Sequence, residues 1–315
     1  MTVPPFLTAD QQVEYLYDKN YVERGSITEA DKNRLAELNF HHLLGYARNY
    51  RALPGRGQVE VASRSLSDVL GVLDGDAQLS ALLHEGVRIA ECRLRAAVVK
   101  HYCSKFSPAG SFLTPSQYLT TSEGSAEHLV RGILTSIFRH DEPYVVQELK
   151  RSAEKRDVRC CKELKEYDPT NHGVCVAVAG SLPLWAVVDS FSLGLLGRFV
   201  MACDTDTTQP VWKAVASQLE IQARIFETQL KSLTYLRNCI AHHARLWMRP
   251  TADSPKKPLL FEKRLRGSTH KSMYWAIMNL ASFLPQPQRL PFADRVDALL
   301  ERNPLHRQGI LRAAG

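Results

Sequence analysis

The stretch "YLRNCIAHHARLW", Tyr235 to Trp247, sets two arginines, an asparagine and two adjacent histidines among apolar residues. Each polar type has a defined chemistry. Imidazole titrates near neutral pH and serves as general acid or base. Guanidinium holds a phosphate bidentately and stabilises charge developing on it. An amide orients the imidazole or a substrate oxygen. Together Arg237, Asn238 and His242 suit cleavage of RNA, where the neighbouring 2′-hydroxyl is a built-in nucleophile and no metal is required. DNA lacks that hydroxyl. Arg-x-x-x-x-His alone is a common pattern, however, and a plainer reading pairs Arg237 with a buried acid such as Glu91.

The element that must position these groups reads as a helix. At about 100° per residue, Phe226, Leu230, Leu233, Ile240, Ala244 and Trp247 fall within roughly 80° of Arg237. This is one apolar stripe with an arginine inside it, and a buried arginine is costly unless it is paired or meets an anion. Asn238, His242 and Arg245 lie on a neighbouring polar ridge, with Asn238 and His242 in reach of each other at i,i+4. Arg237 and His242 are about 140° apart and cannot both aim at one point from one ideal helix. They can flank a groove, or two copies of the helix can supply a shared cleft across a dimer.

The remaining elements predict an all-α chain. Thr8 or Asp10 starts a first helix, and Thr28 precedes an acidic first turn, as a helix N-terminus prefers. Pro54 to Gln58 reads as a loop. A long helical region follows, which Gly75 is expected to divide. In its second half Leu79, Leu82, Leu83, Val87, Ile89, Ala90, Leu94 and Val98 keep helical spacing. Pro143 marks a break between two later helices, and Lys150 to Asp168 reads as a solvated face of mixed charge. Further helices are expected at "PVWKAVASQL", "GSTHKSMYWAIMNLASFL" and "FADRVDALLERN". "PYVVQ" and "VCVAVAG" are the only candidate short strands, and no fixed-period repeat is visible.

Composition narrows the class. With 44% hydrophobic and 23% charged residues among 315, the chain is expected to be globular rather than disordered. Its net charge of +7 mildly favours an acidic partner. Seven scattered cysteines with no C-x-x-C pair, Cys160 and Cys161 being adjacent, argue against a disulfide framework or zinc site and for a reducing compartment. The N-terminal segment has no basic region followed by an apolar run, so no signal peptide is expected. Gly173 to Gly197 carries a single charge, Asp189, but Pro183 divides it; a core helix from near Pro183 is expected rather than a membrane span.

At the opening motif the chain resembles the Abi-like abortive-infection proteins of AbiD/AbiF type. "LRNCIAHHARLW" is similar to the C-terminal signature of that family. "PFLTADQQVEYLYDKN" resembles its opening segment, and "LNFHHLLGYARNY" its second helix, where aromatic residues often replace His41-His42. "IAECRLRAAVVKHY" resembles its Glu-bearing central helix and "LPLWAVVDSFSLGLLGRF" its Pro-x-Trp segment. These blocks keep family order across residues 5 to 250. The resemblance implies the HEPN superfamily: helical, often dimeric, with many metal-independent ribonucleases that use Arg-x-x-x-x-His. It implies Arg237 and His242 as catalytic, Asn238 as the usual polar residue after the arginine, and phage defence by cutting RNA. Two departures stand out. Met248 follows Trp247 where asparagine is common, and Asp189 stands where glutamate is common. Only one Arg-x-x-x-x-His occurs, so a composite site requires a homodimer.

The expectation is therefore a HEPN-type bundle (63–286) with an N-terminal helical extension (1–62) and a C-terminal helix and tail (287–315). It is read as a cytoplasmic endoribonuclease with no cofactor and no metal. Glu91, His243 and Arg245 are candidate supporting residues, although Glu91 can equally bind Arg95 on its own helix, and His243 and His101 are more often structural. His41-His42 lacks a third metal ligand nearby. Arg249 to Lys271 holds seven Lys/Arg and two acids, so Lys256, Lys257, Lys263, Arg264 and Arg266 are candidate RNA contacts beside the motif. Trp185 and Trp247 are expected in the core. Expected partners are RNA, a second copy, and a regulatory RNA or protein, with no membrane. The alternatives are a non-catalytic RNA-binding or regulatory HEPN module of a defence or toxin-antitoxin system, and a structural component of a defence complex.

Overall fold

A computed structural model describes residues 6–53, 64–119, 125–156, 158, 166–252 and 255–313. The loop at Pro54–Gln58, the pair Cys160-Cys161, most of the charged stretch after Arg156 and the boundary at 62/63 lie outside the described residues. Among the described residues the chain is helical, with no strand. The helices are α1 (Ala9–Asp18), α2 (Glu29–Ala36), α3 (Phe40–Ala52), α4 (Leu66–Cys103), α5 (Ala126–Phe138), α6 (Pro143–Lys155) and α7 (His172–Ala179). They continue as α8 (Leu184–Val187), α9 (Leu193–Ala202), α10 (Val211–Gln218), α11 (Ala223–Ala241), α12 (Met273–Ser282), α13 (Gln286–Glu301) and α14 (Pro304–Leu311).

Local chemistry sets the early boundaries. Thr8 and Thr28 each close a capping box, with Gln11 and Asp31 as the returning partners. Both candidate strands are helical: "PYVVQ" opens α6 and "VCVAV" forms most of α7. In α6, Val145, Leu149 and Ala153 recur at i,i+4 and are buried. In α7, Cys175, Val178 and Ala179 are buried, and that helix packs on α5 and α6. Tertiary burial on a 3.6-residue period outweighs the β-preference of the valines.

The chain divides into two compact units. One comprises 1–86, 235–281 and 286–315; the other comprises 87–234 with 282–285. In the second unit α5 packs on α7 and α9, and α9 on α10. The segment after Pro183 is not one core helix. α8 stops after four residues, a 3-10 turn follows, and α9 starts again under a Ser192 cap. Trp185 is accordingly not a core residue: it is 55% exposed and stacks on half-exposed Tyr144 at 5.9 Å.

The first unit has a continuous core that runs from Val13 and Leu16 on α1 through Leu43, Ala47 and Tyr50 on α3 to Leu66 and Val69 on α4, and it includes Trp247 and Met248. Gly75 does not divide the long helical region, since α4 is unbroken over 38 residues. The glycine marks a close approach instead: a Cβ there would stand 2.9 Å from the His306 ring of α14. Gly309 has the same function more severely, with a Cβ 2.1 Å from Nε1 of buried Trp247. α14 itself was not anticipated from sequence; its buried residues, His306, Gly309 and Ile310, give no apolar stripe to read.

Gly309→Ala is expected to destabilise the protein by about 3 kcal/mol through overpacking. Gly173→Ala, where nothing lies within 4 Å of the added methyl, should be neutral or stabilising by up to ~1 kcal/mol. Urea-unfolding midpoints of the two variants measure the contrast.

Candidate functional site

α11 delivers the motif and then stops inside it. Leu230, Leu233, Leu236, Cys239 and Ile240 are buried, so Leu236 and Cys239 shift the stripe and leave Arg237 on its flank. Arg237 is half-buried, while Asn238 and His242 are exposed. The Arg237 guanidinium donates to the Asn238 amide oxygen at 3.4 Å.

The helix ends at Ala241, so Ala244 and Trp247 do not belong to the stripe that an extended wheel assigned them. The termination is a Schellman motif. The His243 amide donates to the Ile240 carbonyl at 3.2 Å and the Ala244 amide to the Cys239 carbonyl at 2.8 Å. His243 occupies the left-handed position at φ 49°, which glycine usually fills. His242 therefore sits at the last helical junction, one turn beyond Asn238, where its amide donates to the Asn238 carbonyl at 3.0 Å.

Beyond the turn, a buried carboxylate on α4 holds the chain. Asp76 Oδ2 accepts from the amides of Leu246 (2.8 Å) and Trp247 (3.0 Å) and from the Tyr46 hydroxyl (2.8 Å). Its Oδ1 meets His306 Nε2 at 2.8 Å. An acceptor-only carboxylate requires the proton on that nitrogen, which sets the His306 tautomer. Burial, and then the Asp76 charge, push the Tyr46 phenol far above its ordinary range, so it stays a neutral donor. Trp247 stacks on Tyr46 with centroids 6.4 Å apart, and its Nε1 donates to the Leu305 carbonyl at 3.0 Å. Met248 donates from its amide to the Gly309 carbonyl at 2.9 Å and is the second left-handed residue of the segment, at φ 52°.

Of the supporting candidates, Arg245 belongs to this anchor. It donates to the Trp247 carbonyl at 3.0 Å, lies 6.0 Å over the Tyr46 ring, and has its pKa drawn down by burial. Glu91 lies in the other unit and pairs with Arg95 at 2.9 Å, its i,i+4 neighbour, while Asp189 stands 3.4 Å from the same guanidinium. His243 lines a cavity of about 360 Å³ together with His42, His84 and Tyr46.

Two of the basic candidates are held by acids. Lys257 pairs with Glu262 at 2.9 Å, and Arg264 is held by Asp294 and Asp297. Lys256, Lys263 and Arg266 are exposed. Arg266 shares a second cavity, of about 860 Å³, with Arg264, Arg307 and Arg312. Sequence reasoning passed over Asp76, Tyr46, His306, Arg307 and Arg312. The one local signal was an acid beside a glycine within a helical run, Asp74-Gly75-Asp76.

Among the described residues the fold is all-helical, and α11 ends within Arg-Asn-x-x-x-His with the following turn clamped to a buried acid. Residues 33–248 match the family model described as Abi-like protein, and this span is well over half of the chain. The chain belongs to the Abi-like protein family, whose name points to a role in abortive infection, a defence against phage. No curated protein and no solved structure matches it. No helix among the described residues is long and apolar enough to cross a membrane.

Asp76→Ala strands two backbone amides, a phenol and an imidazole in the core. It is expected to cost about 3–5 kcal/mol, against ~1 kcal/mol for Tyr46→Phe, which removes a single donor. Denaturant titration of both variants checks the order.

Proposed function

We propose that this protein is a HEPN-type endoribonuclease of phage defence, acting as a homodimer on single-stranded RNA without a metal. The observation that carries the reading is the arrangement at the end of α11: Asn238 and His242 exposed, Arg237 half-buried beside them, and the turn that follows closed by its own backbone hydrogen bonds. Membership of the Abi-like family supports it.

In this reading the His242 imidazole takes the proton from a ribose 2′-hydroxyl. The 2′-oxygen attacks the adjacent phosphorus, and the P–O bond to the 5′-oxygen breaks. A second copy of the chain supplies a second His242, which donates the proton to that leaving oxygen. The products are a 2′,3′-cyclic phosphate and a 5′-hydroxyl. Arg237 stabilises the charge on the non-bridging oxygens, and Asn238 holds the guanidinium. Lys256, Lys263 and Arg266 bind flanking phosphates together with Arg307 and Arg312. Lys257 and Arg264, which acids hold, contribute less than Arg266.

Two outcomes are expected. With excess EDTA, wild type cleaves labelled RNA to cyclic-phosphate ends, and Arg237→Ala and His242→Ala each slow cleavage about 100-fold or more. Equal rates in all three proteins would sink the proposal, as would binding without cleavage. In anisotropy titrations of RNA against salt, Arg266→Ala lowers the log–log slope by about one, and Lys257→Ala changes it less.

A further inference from the structure

Behind His243 the first unit contains a cavity that the cleavage chemistry does not use. Its apolar lining comes from Leu73, Ala77 and Ala81 on α4 and Ile240 on α11, with Ala77 and Ala81 at the exposed edge. Its rim is polar, with His42 from α3, Ser80 and His84 from α4, and His243 from the turn. All three imidazoles are exposed. The His42 ring meets Tyr46 edge-on at 5.4 Å, which sets its plane. Asp76 also touches the cavity, but its oxygens are already engaged by the two amides, Tyr46 and His306.

A largely apolar lining with a few polar groups, about 360 Å³ in volume, is the composition of a small-ligand site. A metal does not suit it, since no group of three or more His, Cys, Asp or Glu among the described residues could hold an ion. The imidazoles are therefore separate hydrogen-bonding groups, each able to donate at one nitrogen and accept at the other. The ligand that fits is a planar ring, apolar on its faces and mixed donor and acceptor along its edge, which describes an unstacked nucleobase. His243 is the left-handed C′ residue of the Schellman turn at φ 49°, and it lines the cavity. His243 is also the chain neighbour of His242, with Cα atoms about 3.8 Å apart.

We propose that this cavity is the base-recognition subsite of the enzyme and takes one nucleobase of single-stranded RNA, that of the nucleotide flanking the scissile phosphate. The placement beside the cut rests on the ribonuclease reading; the base chemistry of the cavity does not. His84 and His243 read the base edge, and the apolar lining residues pack against its face. The site thus gives a defence nuclease a preferred cutting context.

The test separates the two readings. Saturation-transfer NMR with the four ribonucleoside monophosphates is run on the His242→Ala protein. One base should bind with a Kd at least about tenfold below the weakest. Ala81→Phe, which fills the cavity from an exposed helix position, should abolish the discrimination. His84→Ala should weaken the preferred nucleotide about tenfold. Unchanged urea midpoints show that both variants fold. In the active protein, cleavage of a random-sequence RNA should show the same base beside the cut, and Ala81→Phe should erase that preference. Equal binding of all four nucleotides, or discrimination that survives Ala81→Phe, overturns the pocket. RNA cut without base preference leaves the ribonuclease standing and the pocket refuted. Base-selective binding, lost on filling, in a protein that cuts no RNA leaves the pocket standing and the ribonuclease refuted.

Discussion

One carboxylate organises the first unit. Asp76 is buried on α4, and a lone buried charge there would cost several kcal/mol. Four donors from three other segments satisfy it: Tyr46 on α3, the Leu246 and Trp247 amides after α11, and His306 on α14. Each is polar and out of water, so none can leave without stranding a partner. The network therefore specifies where the segment after the motif lies. Close packing completes it: Gly309 admits Trp247, Gly75 admits His306, and Trp247 lies flat on Tyr46.

That constraint explains a motif which is half helix and half turn. Arg237 and Asn238 take their directions from α11, and His242 takes its own from the junction. The next residue turns left-handed to bring the chain back toward Asp76. Two non-glycine residues at positive φ within six positions, His243 and Met248, are stabilised by the bonds around them. Met248 stands where the family resemblance leads one to expect asparagine. Asparagine adopts the left-handed region at lower cost than methionine. Here the methionine side chain is buried in the core beside Trp247, and that burial offsets the backbone strain.

The site's polarity follows the same logic. Groups that hold structure are buried and saturated: Asp76, Tyr46 and His306. Groups available for chemistry are exposed on the same short stretch: Asn238, His242 and His243. Arg245, seven residues beyond Asn238, falls on the structural side, covering Tyr46 and bonding the Trp247 carbonyl. Adjacent residues of similar type thus have different functions, and burial is what separates them.

The sequence by itself determined the helical class, the capped start at Thr28, a first helix starting at Thr8 or Asp10, and the motif together with its family. These depend on local hydrogen-bonding chemistry, a 3.6-residue period and an ordered set of blocks, all contained in nearby residues. It misread Gly75 as a break, Trp185 as core and the α11 stripe as running to Trp247. In each case periodicity or residue type was extended past the point where a distant partner takes over. Gly75 is set by His306, 231 positions along the chain from it, and the end of α11 by Asp76 on α4. Only the tertiary structure decided that Asp76, Tyr46 and His306 meet, and that His42, His84 and His243 share one cavity. Hydrogen bonds between residues far apart in sequence leave no spacing to read, and burial of a charge becomes intelligible only when its partners are in place.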